Sequence, residues 1–179
     1  MNAAVAAPVR AYIALGANLG DAPATVHEAM NSLDGVPETH VLARSSLYRT
    51  APIDSSGPDY VNAVVAVDTH LSAVELLRAM QQIELQAGRE RPYRNAPRTL
   101  DLDLLMYGDL QQDDAQLILP HPRMMQRAFV LVPLHELAPG LNPDFRFAIS
   151  NPDSGCVCPY GLTIAFAENA VRNGARVSL

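Results

Sequence analysis

The chain has 179 residues, the size of one domain with a short appendage, and 49% of them are hydrophobic, enough to fill a sizeable core. It has no Trp and only four Phe and six Tyr, so that core must be mostly aliphatic. A net charge of −6 excludes a general nucleic-acid coat, which needs a positive excess, but still allows a local basic cluster that binds a polyanion.

The opening "MNAAVAAPVR" has no basic region and only a short apolar run before Pro8, so it reads as an N-terminal extension (1–10) and not as a signal peptide. No window approaches the ~18 apolar residues of a membrane span, and a cytoplasmic protein is expected. "AYIALG" predicts a strand that breaks at Gly16. "GANLGD" reads as a plain strand-to-helix turn, since it lacks G-K-[ST] and is not G-x-G-x-x-G. Asp21 is placed to cap a helix with Pro23 in its first turn. Val26, Met30 and Leu33 recur at helical spacing until Gly35 and Pro37. "HVLARSSLYR" predicts a second strand, "TAPIDSSGPD" a loop, and Val-rich "YVNAVVAVDT" a third strand with Tyr60 and Asn62 on one face. Ser72 and Glu75 form a capping box before a helix running to Gly88, with Leu76, Met80, Ile83 and Ala87 as its apolar stripe. "GRERPYRNAP" is a loop rich in arginine. "LDLDLLMYGD" is a fourth strand, "LILPHP" is extended, and "MMQRAFVLVPLHEL" predicts a last helix, bent or shortened at Pro133.

Strand, helix, strand, strand, helix, strand, helix is the split βαββαβ pattern. The expected fold is α+β, a ferredoxin-like sandwich of helices on an antiparallel sheet, with additional C-terminal elements. The domain is expected over 11–148, with 149–179 as an appended tail in which "LTIAFAENAVR" is the one helical stretch. Cys156 and Cys158 form a lone C-x-C, too close for an unstrained disulfide and without the further Cys or His of a metal site.

Asp101 and Asp103 interrupt the fourth strand. Residues two apart on a strand share a face, so the two carboxylates lie side by side while Leu100, Leu102 and Leu104 point the other way. Paired carboxylates repel one another and call for a positive partner. Mg²⁺ suits the pair, because it takes one or two carboxylates together with phosphate oxygens. An exposed strand edge explains a bare D-x-D equally well. The context favours the metal: Arg89, Arg91, Arg94 and Arg98 lie just upstream, and guanidinium forks hold phosphate oxygens in pairs. A solvated basic loop pairing with Glu84 and Glu90 is the plainer alternative. His121 in "LPHP" is a lone histidine among charged groups. No Ser-His-Asp or Cys-His set stands out, and no general base announces itself. The residues alone therefore reach Mg²⁺-dependent chemistry on a nucleotide polyphosphate.

"RNAPRTLDLDLL" resembles the signature of the 6-hydroxymethyl-7,8-dihydropterin pyrophosphokinase family. "YIALGANLGD", "LYRTAPI", "PDYVNAVV", "IELQAGRER", "LPHP" and "RAFVLVPLHELAP" agree with the family in order and spacing, over about residues 11–140. The resemblance implies transfer of pyrophosphate from ATP to the hydroxymethyl group of a dihydropterin, giving AMP and the pterin diphosphate in folate biosynthesis. It implies that Asp101 and Asp103 hold two Mg²⁺ ions, one of which activates the pterin hydroxyl. Arg89, Arg91 and Arg98 match arginines on the triphosphate, Arg89 and Arg98 among the catalytic group. His121 and Arg127 match further ATP-site positions, and Gln81 and Glu84 match helix positions beside the nucleotide. Leu77 and Leu104 match positions near the adenine or its sugar. Thr50, Pro52, Ile53, Tyr60, Asn62 and Phe129 match the pterin pocket. Asn62 has the donor and acceptor to read a pterin edge, and Tyr60 or Phe129 the ring to stack on it.

The chain departs from the family pattern at Asn95, where an aromatic occurs, and at Ala51 in place of a proline. Ile118 and Pro122 replace a polar residue and an aromatic; none of these touches the aspartate pair. The loops at 50–59 and 88–97 are expected to be mobile without ligand, with ATP and Mg²⁺ ordering the arginine loop. The expected working unit is a monomer that binds neither nucleic acid nor membrane. The competing reading is a non-catalytic ferredoxin-like domain that binds a nucleotide or metabolite for regulation. An RNA-binding domain of related topology is disfavoured by the acidic balance and the lack of an aromatic-rich sheet motif.

Overall fold

A computed structural model describes residues 7–51, 57–88, 99–141 and 157–159. Its sheet is built around strand β1 (Val9–Ala17), which pairs antiparallel with β4 (Tyr60–Thr69) on one side and β5 (Asp101–Tyr107) on the other. Two strands share the far side of β4: β2 (Thr39–Arg44) and β3 (Tyr48–Thr50). A short strand β8 (Val157–Pro159) adds to the outer edge of β3. The order β5-β1-β4-β3, with β2 also on β4, is the ferredoxin-like arrangement expected from the strand–helix pattern. Strands β6 (Gln112–Asp113) and β7 (Ile118–Leu119) form a separate small ribbon.

The single strand expected from "HVLARSSLYR" is two. The break comes from Ser45, which is buried and whose Oγ accepts the Val64 N–H at 2.9 Å while its own N–H donates to Val64 O at 2.9 Å. A side-chain oxygen has taken a ladder position, so regular pairing stops and restarts at Tyr48.

Helix α1 (Ala22–Asp34) starts as expected, with the Asp21 carboxylate accepting the Ala24 N–H at 3.1 Å. Helix α2 (Ala73–Gln86) carries the full capping box: Glu75 accepts from the Ser72 N–H at 2.9 Å and Ser72 Oγ from the Glu75 N–H at 3.4 Å. Their apolar stripes, Val26, Met30 and Leu33 on α1 and Leu76, Met80 and Ile83 on α2, pack on the face of the sheet lined by Ile13, Leu15, Val65, Leu102 and Leu104.

The last helical segment differs from expectation. A 3₁₀ turn (Met124–Gln126) ends at Arg127, whose backbone is extended at φ −118° and ψ 102°, and α3 (Ala128–Leu137) follows. Pro133 lies inside α3 without ending it. The helix is held by burial of Val130, Leu131, Pro133 and Leu134, and packing against the second face of the sheet offsets the backbone hydrogen bond that proline cannot make. On that face α3 covers Ala14, Val64 and Leu105. No described helix is long and apolar enough to cross a membrane.

The tail helix expected at "LTIAFAENAVR", and Cys156, lie outside the described residues. Of the expected tail, β8 shows that part joins the sheet.

Candidate active site

Strand β5 alternates as its sequence requires. Leu102 and Leu104 enter the larger core, and Asp101 and Asp103 stand on the opposite face, each half-buried. The register extends this face across the sheet. Asp101 lies opposite Gly16, which lies opposite Asn62; Asp103 lies opposite Ala14, which lies opposite Val64. Directly opposed residues share a face. The aspartates therefore stand on the same side as Asn62, with only a glycine between Asp101 and the amide.

Gly16, where the sequence predicts that the first strand breaks, instead lies inside β1, which runs on to Ala17 because Gly16 is paired with both Asn62 and Asp101. A Cβ there would come within 3.1 Å of Asn62 Oδ1, so the bare backbone leaves that oxygen a clear approach. A glycine interrupting an apolar strand just before a turn was the available signal.

At the other end of the row, Asn62 Nδ2 donates to Thr50 Oγ1 at 2.7 Å. Both side chains are nearly sealed, at 6% and 4% exposure, and the bond between them satisfies groups that burial would otherwise penalise. Tyr60 pairs with Thr50 across the β3–β4 ladder and shares this face.

Two cationic or polar groups approach Asp103. Arg127 Nη1 lies 3.4 Å from Asp103 Oδ2, and His121 Nε2 lies 4.0 Å from it. A contact of 3.4 Å is longer than the 2.7–2.9 Å of a tight charge-assisted bond, and the Asp103 side chain stays 35% exposed. The carboxylate is thus balanced but not consumed. Arg127 also stands 5.5 Å from the Phe129 ring centroid. The extended backbone at Arg127 separates the 3₁₀ turn from α3 at the point where this side chain reaches the carboxylate.

His121 is anchored by its N–H on Leu105 O at 2.9 Å, and its Nδ1 accepts the Arg123 N–H at 3.2 Å. With Nδ1 accepting, the neutral ring carries its proton on Nε2, facing Asp103. Burial pushes the imidazole below its ordinary value, and neighbouring Arg127 and Arg123 push the same way against the pull of Asp103. His121 is a neutral donor here.

Other expected residues fall elsewhere. Leu104 is a core residue at 4% exposure, and Leu77 packs against the same core, both on the side of the sheet away from the aspartates. Gln81 is exposed on α2. Glu84 is 2% exposed and its Oε1 accepts the Leu102 N–H at 2.8 Å. In the described sheet β5 has a strand neighbour on one side only, so this N–H needs a side-chain acceptor, and Glu84 supplies it. Its expected place beside the nucleotide is thus joined by a structural duty. Pro52, Ile53, Arg89, Arg91, Asn95 and Arg98 lie outside the described residues, as does most of the arginine loop.

A ferredoxin-like sheet with an acidic pair, an arginine and a neutral histidine at one end of a face, and a buried amide–hydroxyl pair at the other, defines a two-ended polar site. The comparisons with known proteins give the family. The chain belongs to the 7,8-dihydro-6-hydroxymethylpterin-pyrophosphokinase (HPPK) family, whose profile matches residues 12–139. It is 43% identical over 153 residues to the 2-amino-4-hydroxy-6-hydroxymethyldihydropteridine pyrophosphokinase of Pseudomonas aeruginosa, covering 84% of this chain and 93% of that one. The enzyme of the same name from Haemophilus influenzae is 42% identical over 134 residues, 74% of this chain and 84% of its own. Among solved structures, an HPPK-DHPS in complex with substrates aligns with a TM-score of 0.57 at 12% identity, covering 93% of this chain and 44% of that one. The wild-type Plasmodium falciparum HPPK-DHPS aligns with a TM-score of 0.57 at 14% identity, covering 76% and 41%. This chain spans less than half the length of those two solved chains, and the likeness to them is one of fold.

Proposed function

We propose that the α3-side face of the sheet transfers pyrophosphate from ATP to the hydroxymethyl group of 6-hydroxymethyl-7,8-dihydropterin, giving AMP and the pterin diphosphate in folate biosynthesis. The observation that carries this reading is the row Asp101–Gly16–Asn62. Two strand spacings, roughly 10 Å, separate a carboxylate suited to a metal-bound phosphate chain from an amide suited to a heterocycle edge.

The donor set fits Mg²⁺. Asp101 and Asp103 offer hard oxygen ligands, and among the described residues no group of three or more His, Cys, Asp or Glu is arranged to hold a metal. The remaining positions would then fall to phosphate oxygens and water, the usual habit of Mg²⁺. Two ions, each reached by the aspartate pair, are part of the proposal. Bound there, Mg²⁺ supplies charge neutralisation for the phosphates and acidifies a ligated hydroxyl, a task that otherwise needs a general base.

The chain's own residues do the rest. Arg127, which stands 3.4 Å from Asp103, brings a guanidinium fork suited to a phosphate to the acidic end, and His121 brings its Nε2–H. Asn62 gives one N–H to Thr50, which orients the amide and leaves Oδ1 to accept from the pterin edge over Gly16. Phe129 and Tyr60 supply aromatic faces. Pro52 and Ile53 complete the pterin pocket, and Arg89, Arg91 and Arg98 the triphosphate site, in the reading the family pattern supports. The base of the nucleotide lies toward α2, where Gln81 and Leu77 stand, with Glu84 and Leu104 supporting β5 from within. A monomer is the working unit in this proposal.

The test is product identity. With ATP, Mg²⁺ and the pterin alcohol, AMP is expected in step with the pterin diphosphate. ADP would replace this reaction with ordinary kinase chemistry, and binding without turnover would favour the regulatory-domain reading.

A further inference from the structure

The link between β2 and β3 is fastened from two sides. Ser45 joins it to Val64 of β4, as described above. From the opposite side, the Glu136 carboxylate on the last turn of α3 accepts the Ser46 N–H at 2.9 and 3.1 Å, Ser46 Oγ–H at 3.0 Å and the Tyr48 O–H at 2.9 Å. Burial first, then the hydrogen bond to Glu136 and its charge, raise the Tyr48 phenol to about 12. Strand β3 is only three residues long and ends at Thr50, the partner of Asn62. Helix α3 begins one residue after Arg127, which faces Asp103. One helix of about 15 Å therefore spans from the acidic end of the site to the strand that orients the amide.

We propose that Glu136 is a positioning residue for the pterin end of the site, acting through Ser46 and Tyr48 on β3 and hence on Thr50 and Asn62. This rests on the reading that Thr50 and Asn62 face the pterin. Glu136 is exposed and touches neither proposed substrate end, so its effect is expected in where β3 sits more than in whether the chain folds. Three donors converge on one carboxylate, and charge-assisted bonds of this kind hold geometry well.

The test compares Glu136→Ala, Glu136→Gln and Tyr48→Phe with the unaltered chain in the AMP assay. Glu136→Ala is expected to raise the pterin KM about tenfold while the ATP KM stays within about twofold. Glu136→Gln, which keeps an acceptor for the Ser46 N–H, should recover part of the loss, and Tyr48→Phe should show a smaller rise. Equal movement of both KM values, or of neither, overturns the proposal. Should Glu136→Ala fail to fold, the other two variants decide by the same ratio. Amide hydrogen exchange of Tyr48, Arg49 and Thr50 needs no turnover. It should quicken in the Glu136 variants while exchange in β1 does not, and unchanged exchange in β3 also overturns the proposal. An unaltered chain that makes no AMP would remove the reaction reading itself, and the exchange result then still tells whether Glu136 seats β3.

Discussion

The two faces of this sheet are made by the same strands and behave differently. On one, Ile13, Leu15, Val65, Leu102 and Leu104 are closed under α1 and α2. On the other, α3 closes Ala14, Val64 and Leu105, with Tyr12 and Met106 packed beside them, and beyond its start the row continues as Gly16, Asn62 and Asp101. One residue of strand alternation separates a dry core from a polar site. The apolar face gives the strands a rigid position, and the polar face uses that rigidity to hold side chains that would not stay together by themselves. Carboxylates placed side by side repel, and only a sheet secured from behind keeps them in register.

The difference between the faces is sharpest at Asp103. Asp103→Ala is expected to cut turnover by at least ~10³-fold, since each 1.4 kcal/mol of lost charge stabilisation is about tenfold in rate. Its thermal unfolding should move little, because a half-exposed side chain with one long ion contact is removed. Turnover near that of the unaltered chain would remove the metal assignment. The reverse experiment is Leu76→Ala, a fully buried residue of the closed face. It should cost about 2–5 kcal/mol of folding stability, read by urea unfolding, while kcat of the folded fraction is preserved. If both variants lose stability and turnover in parallel, the division of labour between the faces is wrong.

The smallest expected effect lies at the far end of the polar face and is read by pH. The chain has 13 arginines and no lysine, so no lysine titrates in the alkaline range. Tyr48 has an ordinary value of 10.0 and stands at about 12 in the fold. Its protonated form is favoured by folding, so its contribution is fully present below about pH 10 and is lost as pH rises toward 12. The stability difference between the unaltered chain and Tyr48→Phe should therefore shrink across that window. A constant difference would mean that Tyr48 ionises equally in both states. Tyr107, also raised by burial, adds a background common to both proteins.

Much of the fold was legible because local rules and tertiary packing agree. The Ser72–Glu75 box, the Asp21 cap and the unbroken strand at 60–69 are set by residues within a few positions of one another. The aspartate pair was legible for the same reason: a period of two places both carboxylates on one face whatever lies opposite. The split at Ser45 was not, because it depends on a hydroxyl finding the Val64 N–H nineteen residues away. The break at Arg127 in place of Pro133 was hidden likewise, since packing against the sheet decides which helix defect is tolerated.

The sequence by itself thus determined the α+β order, the paired carboxylates and, through motif likeness over most of the chain, the family. Tertiary structure alone decided that Gly16 opens a gap between Asp101 and Asn62, that Glu84 guards the edge of β5, and that Glu136 reaches across to β3. The physical reason is distance along the chain. Periodicity and capping are properties of neighbours, whereas register between strands and the side chain that meets a given N–H are fixed only when the whole sheet is assembled.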